Sequence, residues 1–152
     1  MRVPLKFLHA PAAAVSALTG LSGIAFAVGE SPPIAYHLHC QGCHMEDGMG
    51  AAEVGRVPRL PGMAGHFLKH AKGRLYLCSV PGVVNAGLPA GETANLLNYV
   101  LEHYSASDLP KQWQRFTGDE VRQLWETKVD DIAALRNEIA SDLAKQGIDL
   151  RY

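Results

Sequence analysis

Residues 36–50 read "YHLHCQGCHMEDGMG", with Cys40 and Cys43 three apart and His44 directly after the second cysteine. Three chemistries use paired cysteines at this spacing. A structural zinc site needs four good ligands, usually from two such pairs, and the chain's third cysteine, Cys78, has no companion. A thioredoxin-like dithiol belongs in a βαβ context, and no convincing strand alternation runs through this sequence. Covalent haem attachment asks for two thiols on one helix face, each forming a thioether with a haem vinyl group. It also asks for an adjacent histidine to bind the iron. Cys40, Cys43 and His44 supply all three parts. One covalently attached haem c is therefore the expected cofactor, with His44 as the proximal iron ligand.

Upstream of the motif, Arg2 and Lys6 precede an uncharged stretch that ends in Ala25-Phe26-Ala27. A basic start, an apolar run and a small-x-small triplet make a secretory signal peptide over 1–27, cut after Ala27. The alternative is an uncleaved anchor, but Ser16, Thr19, Gly20, Ser22 and Gly23 interrupt a run already short for a span. The sequence thus predicts a periplasmic protein, touching a membrane only through this segment if it is retained. Export also suits the motif, since cysteines in an oxidising compartment are normally occupied.

The 152 residues are 47% hydrophobic and 19% charged, ordinary figures for a globular chain. The net charge is −1, and removing Arg2 and Lys6 leaves 12 basic against 15 acidic residues. That balance argues against a nucleic-acid binder working by bulk charge. Helical spacing dominates the rest. The sequence predicts helices over 34–44, over 66–77 with an interruption at Gly73, and over 92–104, where Leu96, Leu97, Val100 and Leu101 form the apolar stripe. Loops are expected over 45–65 and 79–91, where glycine and proline cluster. Thr117 with Glu120 has capping-box spacing and predicts a helix over 118–128. A last helix is expected from Asp130 or Asp131, with Ile132, Leu135, Ile139 and Leu143 on one face and a stop at Gly147. The fold class is all-α: a small helical domain over 28–104 and a helical extension over 105–152.

The stretch from Cys40 to Gly62 resembles the class I cytochrome c family, in which the haem motif is followed by an Asp-Gly-x-Gly turn and a Pro-x-Leu-x-Gly loop. Here these are Asp47-Gly48-Met49-Gly50 and Pro58-Arg59-Leu60-Pro61-Gly62. The resemblance covers about residues 33–104. It implies that Pro58 and Leu60 belong to the haem site, with the Pro58 carbonyl orienting the His44 ring. It also implies a last helix crossing the first, with Tyr36 and Tyr99 in contact.

The family's second axial ligand is usually a methionine in the loop before the last helix. That loop here, residues 78–88, holds neither methionine nor histidine, and Val80 or a near neighbour stands where the methionine is expected. Four other side chains are possible substitutes: Cys78, Met63, His66 and His70. Each has a plain alternative, as a buried thiol, a packing methionine, or imidazoles on a partly solvated face among Lys69, Lys72 and Arg74. If none binds, Val80, Val83 and Val84 form an apolar distal wall.

The resemblance implies one-electron transfer between redox proteins, with a dehydrogenase, an oxidase or another cytochrome as partner, and no enzymatic reaction of the chain's own. Residues 56–74 hold five Lys/Arg and no acid, which could steer an acidic partner. Two alternatives stand beside it. The missing methionine favours a binder or sensor of CO, NO or O2, because an open iron position decides between ligand binding and electron transfer. The extension favours a cytochrome subunit of a larger complex. Against a docking arm, Trp113, Phe116, Leu124 and Trp125 are apolar enough to pack back on the domain.

Overall fold

The computed structural model describes residues 29–51 and 57–150. The expected signal segment, residues 1–27, lies outside them, as does Arg56. The described residues form helices and no strand, so the fold is all-α as the sequence predicts. No helix among them is long and apolar enough to cross a membrane.

Helix α1 spans Pro32–His39, with Ser31 as N-cap and proline in the first turn, where its missing N–H costs nothing. The sequence predicts that this helix continues to His44. Instead the path is offset at Cys40 (φ −120°, ψ −40°), and a separate turn, α2, covers Gln41–His44. The chain then reverses through Met45, Gly48 and Gly50, all at positive φ. Gly48 is required twice over. Its φ is +72°, and a Cβ there would lie 2.7 Å from the Tyr104 ring.

Helix α5, Ala90–Tyr104, packs on α1 through buried Ala35, Tyr36, Leu96 and Val100. The expected aromatic contact is present, with the Tyr36 and Tyr99 ring centroids 6.1 Å apart. Tyr104 joins it at 4.8 Å from Tyr36. Tyr36 Oη donates to the Met45 carbonyl at 2.7 Å, and Tyr104 Oη to that of Glu46 at 2.9 Å. The two phenols therefore fasten the turn that follows the cysteine pair.

Between these helices the chain makes a 3-10 helix, Ala64–Lys69, then α3, Gly73–Ser79, and α4, Pro81–Val84. The expected interruption at Gly73 has a steric cause. A Cβ there would fall 1.7 Å from the Phe67 carbonyl oxygen, so only glycine lets the 3-10 helix lie against α3. The turn α4, inside a segment read as loop, is started by Pro81 in its first turn.

The C-terminal segment packs back on this core. Helix α6, Gly118–Trp125, is capped by Thr117, whose side chain accepts from the Glu120 N–H, and it lies against α5 and α3. Arg74 of α3 makes a forked pair with Glu120 while its guanidinium sits 3.8 Å above the Phe116 ring. Buried Asn98 of α5 holds both the N–H and the C=O of Phe116, at 2.7 and 2.9 Å. Trp125 donates to the Cys78 carbonyl at 3.0 Å. Helix α7, Ile132–Ala144, is capped by Asp131 and docks on α3. Its Leu135, Ile139 and Leu143 join Met63, Phe67, Tyr76 and Leu150 in one buried cluster. Full burial of such side chains stabilises by about 1.5–3 kcal/mol each.

Candidate functional site

Cys40 stands at the offset between α1 and α2, and Cys43 and His44 lie in α2, so the break in the helical path described above positions them. His44 Nδ1 is 3.0 Å from the Pro58 carbonyl oxygen. A carbonyl only accepts, so Nδ1 carries the proton and Nε2 keeps its lone pair for a metal. Burial lowers the His44 pKa, with the Pro58 hydrogen bond acting against it, which favours the neutral, ligating form. Burial, then the neighbouring Cys43, pushes the Cys40 thiol up to about 11. Cys43 is exposed and Cys40 half-buried, and neither is in a disulfide.

These three residues open onto a cavity of about 560 Å³, within the usual range for small-molecule and cofactor sites. Pro58 and Leu60 line it, as do Leu96, Leu97, Val100 and Leu101 of α5. Val80, Pro81, Gly82 and Val83 line it from the segment before α5. The donor set fits haem c: two thiols, one imidazole held in the ligating tautomer, and walls that are mostly hydrocarbon. Those side chains would hold the macrocycle, and His44 Nε2 would bind its iron.

The four substitutes for the second axial ligand separate in space. Met63 is buried and lines the cavity. Cys78, His66 and His70 do not line it. Cys78 is fully buried in a cluster with Ala94, Leu97 and Leu101. Burial, then Glu120, pushes its thiol up to about 12, against the opposing pull of Arg74, so it remains protonated. His66 Nε2 lies 3.5 Å from Asp108, and its Nδ1 is 3.0 Å from Lys69 Nζ. His70 faces Asp142 of α7 at 3.3 Å.

His70, Glu138 and Asp142 bring ligand atoms within 4.8 Å of one another. The hydrogen bonds there describe a latch. The Lys72 N–H donates to His70 Nδ1 at 3.1 Å, which leaves the proton on Nε2, facing the Asp142 carboxylate. Glu138 accepts from Lys72 Nζ at 2.6 Å. Lys72 and Arg74 are thus engaged with α7 and α6, which thins the basic run over 56–74 that sequence reading offers to an acidic partner. A second cleft of about 530 Å³, beside the end of α7, is lined by Ala140, Ser141, Ala144 and residues 147–150 and offers no thiol or imidazole.

Sequence reading missed part of the wall. Phe67 and Tyr76 line the cavity, and so do Ile132, Ala133 and Arg136 of α7. The apolar stripe of α7 signals that the helix buries a face, but it says nothing of which surface receives it. No protein-family model matches this chain, and no curated protein matches it either.

Proposed function

We propose that this chain is an exported, periplasmic monohaem c-type cytochrome that passes single electrons between redox proteins. The observation that carries the reading is the His44 ring fixed by the Pro58 carbonyl at the mouth of a mostly apolar cavity that Cys40 and Cys43 also line. When bound, haem supplies a one-electron Fe(III)/Fe(II) couple. The chain's own residues do the remainder: the thiols anchor, His44 binds from one side, and the aliphatic walls exclude water and hold the dielectric low.

An electron carrier needs a small, weak contact through which partners meet and part. Cys43 is exposed, and Ile34 and Leu38, one turn apart on α1, are 54% and 58% exposed. An apolar rim beside the attachment site suits brief docking. No reaction of the chain's own is part of this proposal, and the partners are a dehydrogenase, an oxidase or another cytochrome.

A second reading has one specific observation in its favour. Of the four substitute ligands only Met63 lines the cavity, so an iron position open to CO, NO or O2 is the alternative. Visible spectra of the purified protein, oxidised and reduced, with and without carbon monoxide, test both. A c-type spectrum that carbon monoxide leaves unchanged supports the carrier, and one that shifts supports the ligand binder. Absence of haem from protein made in a host that matures c-type cytochromes would overturn both.

A further inference from the structure

The loop that presents the Pro58 carbonyl to His44 is irregular backbone, so its aim depends on what fastens it. One fastening is internal to the site. The Leu60 N–H donates to the Gly48 carbonyl at 2.7 Å, which ties the loop to the turn after His44. The Leu60 carbonyl accepts from the N–H groups of Met63 and Ala64, at 3.2 and 3.0 Å, and closes residues 60–64 into one unit.

The second fastening reaches in from the C-terminal segment. Asp108 ends the 3-10 turn Ala106–Asp108, and its carboxylate is buried. Oδ2 accepts from the Gly62 N–H at 2.9 Å and from the Ser105 hydroxyl at 2.6 Å. Ser105, fully buried, accepts in turn from the Gly65 N–H at 2.8 Å. Its Oγ is also 3.2 Å from the Leu60 carbonyl, but a hydroxyl has one proton, and the closer, charged acceptor takes it. The fit is close: a Cβ on Gly65 would lie 2.8 Å from the Ser105 carbonyl oxygen and 3.0 Å from Asp108 Cβ. Burying a carboxylate is costly unless hydrogen bonds meet its lone pairs. Here they are met partly by the backbone of the loop that holds His44. Ser105 and Asp108 lie beyond residues 33–104, so the family resemblance assigns them no role.

We propose that Asp108, oriented by Ser105, is a positioning residue for His44: it clamps the turn over 60–65 and so holds the Pro58 carbonyl against Nδ1. The inference rests on the haem reading above. A firm hydrogen bond from Nδ1–H makes the imidazole a stronger donor to iron through Nε2, which favours Fe(III). Releasing the clamp weakens that bond and raises the midpoint potential.

The test is NMR of the His44 Nδ1–H proton in full-length holoprotein, reduced and under carbon monoxide, with potentials measured alongside. In that state the iron is low-spin and diamagnetic, with either a side chain or the gas opposite His44. Asp108→Ala should move the resonance upfield and raise the potential. Its exchange with water should be about tenfold faster, the equivalent of one hydrogen bond of ordinary net worth. Asp108→Asn, whose amide oxygen can still accept from Gly62 and Ser105, should hold the resonance near its wild-type position. Ser105→Ala should shift it in the same direction as Asp108→Ala, which decides the matter if the latter does not fold. An unmoved resonance in Asp108→Ala or Ser105→Ala, or an Asp108→Asn shift as large as that of alanine, would overturn the inference and leave the haem reading standing. Wild-type protein without haem would overturn both.

Discussion

At the thiol side of the cavity, the rings of Tyr36, Tyr99 and Tyr104 lie 4.8–6.3 Å apart between centroids, and Tyr36 and Tyr104 spend their hydroxyls on the backbone of the adjacent turn. At the α7 side, Met63, Phe67, Tyr76, Leu135, Ile139 and Leu143 meet almost wholly through hydrocarbon. The first group is directional, with hydrogen bonds that fasten the turn directly after His44. The second is a packing contact whose worth scales with buried area. One side specifies the shape of the site, and the other supplies much of the burial that closes it.

The strongest way to break that comparison is to remove the second side. A chain ending after Tyr104 loses Phe116, Val121, Leu135, Ile139, Leu143 and Leu150, all buried. It should give no cooperative thermal unfolding transition and should be cut rapidly by protease. A truncated chain that melts like the full one would show that the extension contributes little to stability.

Point substitutions sharpen the contrast. Ile139→Ala and Leu96→Ala each empty a buried site, one on each side, and each should cost about 2–5 kcal/mol in urea unfolding. Near-ultraviolet circular dichroism should register Leu96→Ala more strongly, because Leu96 shares a cluster with Tyr36 and Tyr99. If the two sides are independent, the double variant should be additive within about 0.5 kcal/mol. A larger coupling would mean that the cavity transmits strain between them.

The smallest effect concerns the latch. Lys145, then His70, lowers the Asp142 pKa below its ordinary 3.8. A carboxylate whose folded pKa is depressed stabilises the fold above its unfolded pKa, and that stability is lost as pH falls through the folded value. Asp142→Asn should therefore be slightly less stable than wild type at pH 7, with the two curves converging in acid below about pH 3.8. Parallel curves down to pH 2 would leave Asp142 without a stabilising role.

What was legible in the sequence was local. The Cys40-Cys43-His44 spacing, the Thr117–Glu120 cap and the stripe of α5 each depend on residues a few positions apart. The Pro58–His44 hydrogen bond, fourteen residues apart, was reached through the family resemblance. The offset at Cys40 was hidden because no proline or glycine marks it, and every residue from Ile34 to His39 suits a helix. The place of α7 was hidden for a different reason. Its stripe states that a face is buried, whereas the choice of α3 as receiver is settled by shape, by Gly73 allowing the Phe67 carbonyl close, and by the Lys72–Glu138 and His70–Asp142 pairs. The separation of Cys78 from the cavity is likewise a matter of which way one helix turns.

The lining residues Ile132, Ala133 and Arg136 also set an order of assembly. A chain made from its N-terminus presents Cys40, Cys43 and His44 nearly ninety positions before Ile132. Until the final helix emerges, the cavity lacks a wall, and a rigid planar guest has a side door. Once α7 docks, that door is shut by a helix far along the chain from the cysteine pair, so a guest of the proposed kind would enter before α7 docks and be retained after it.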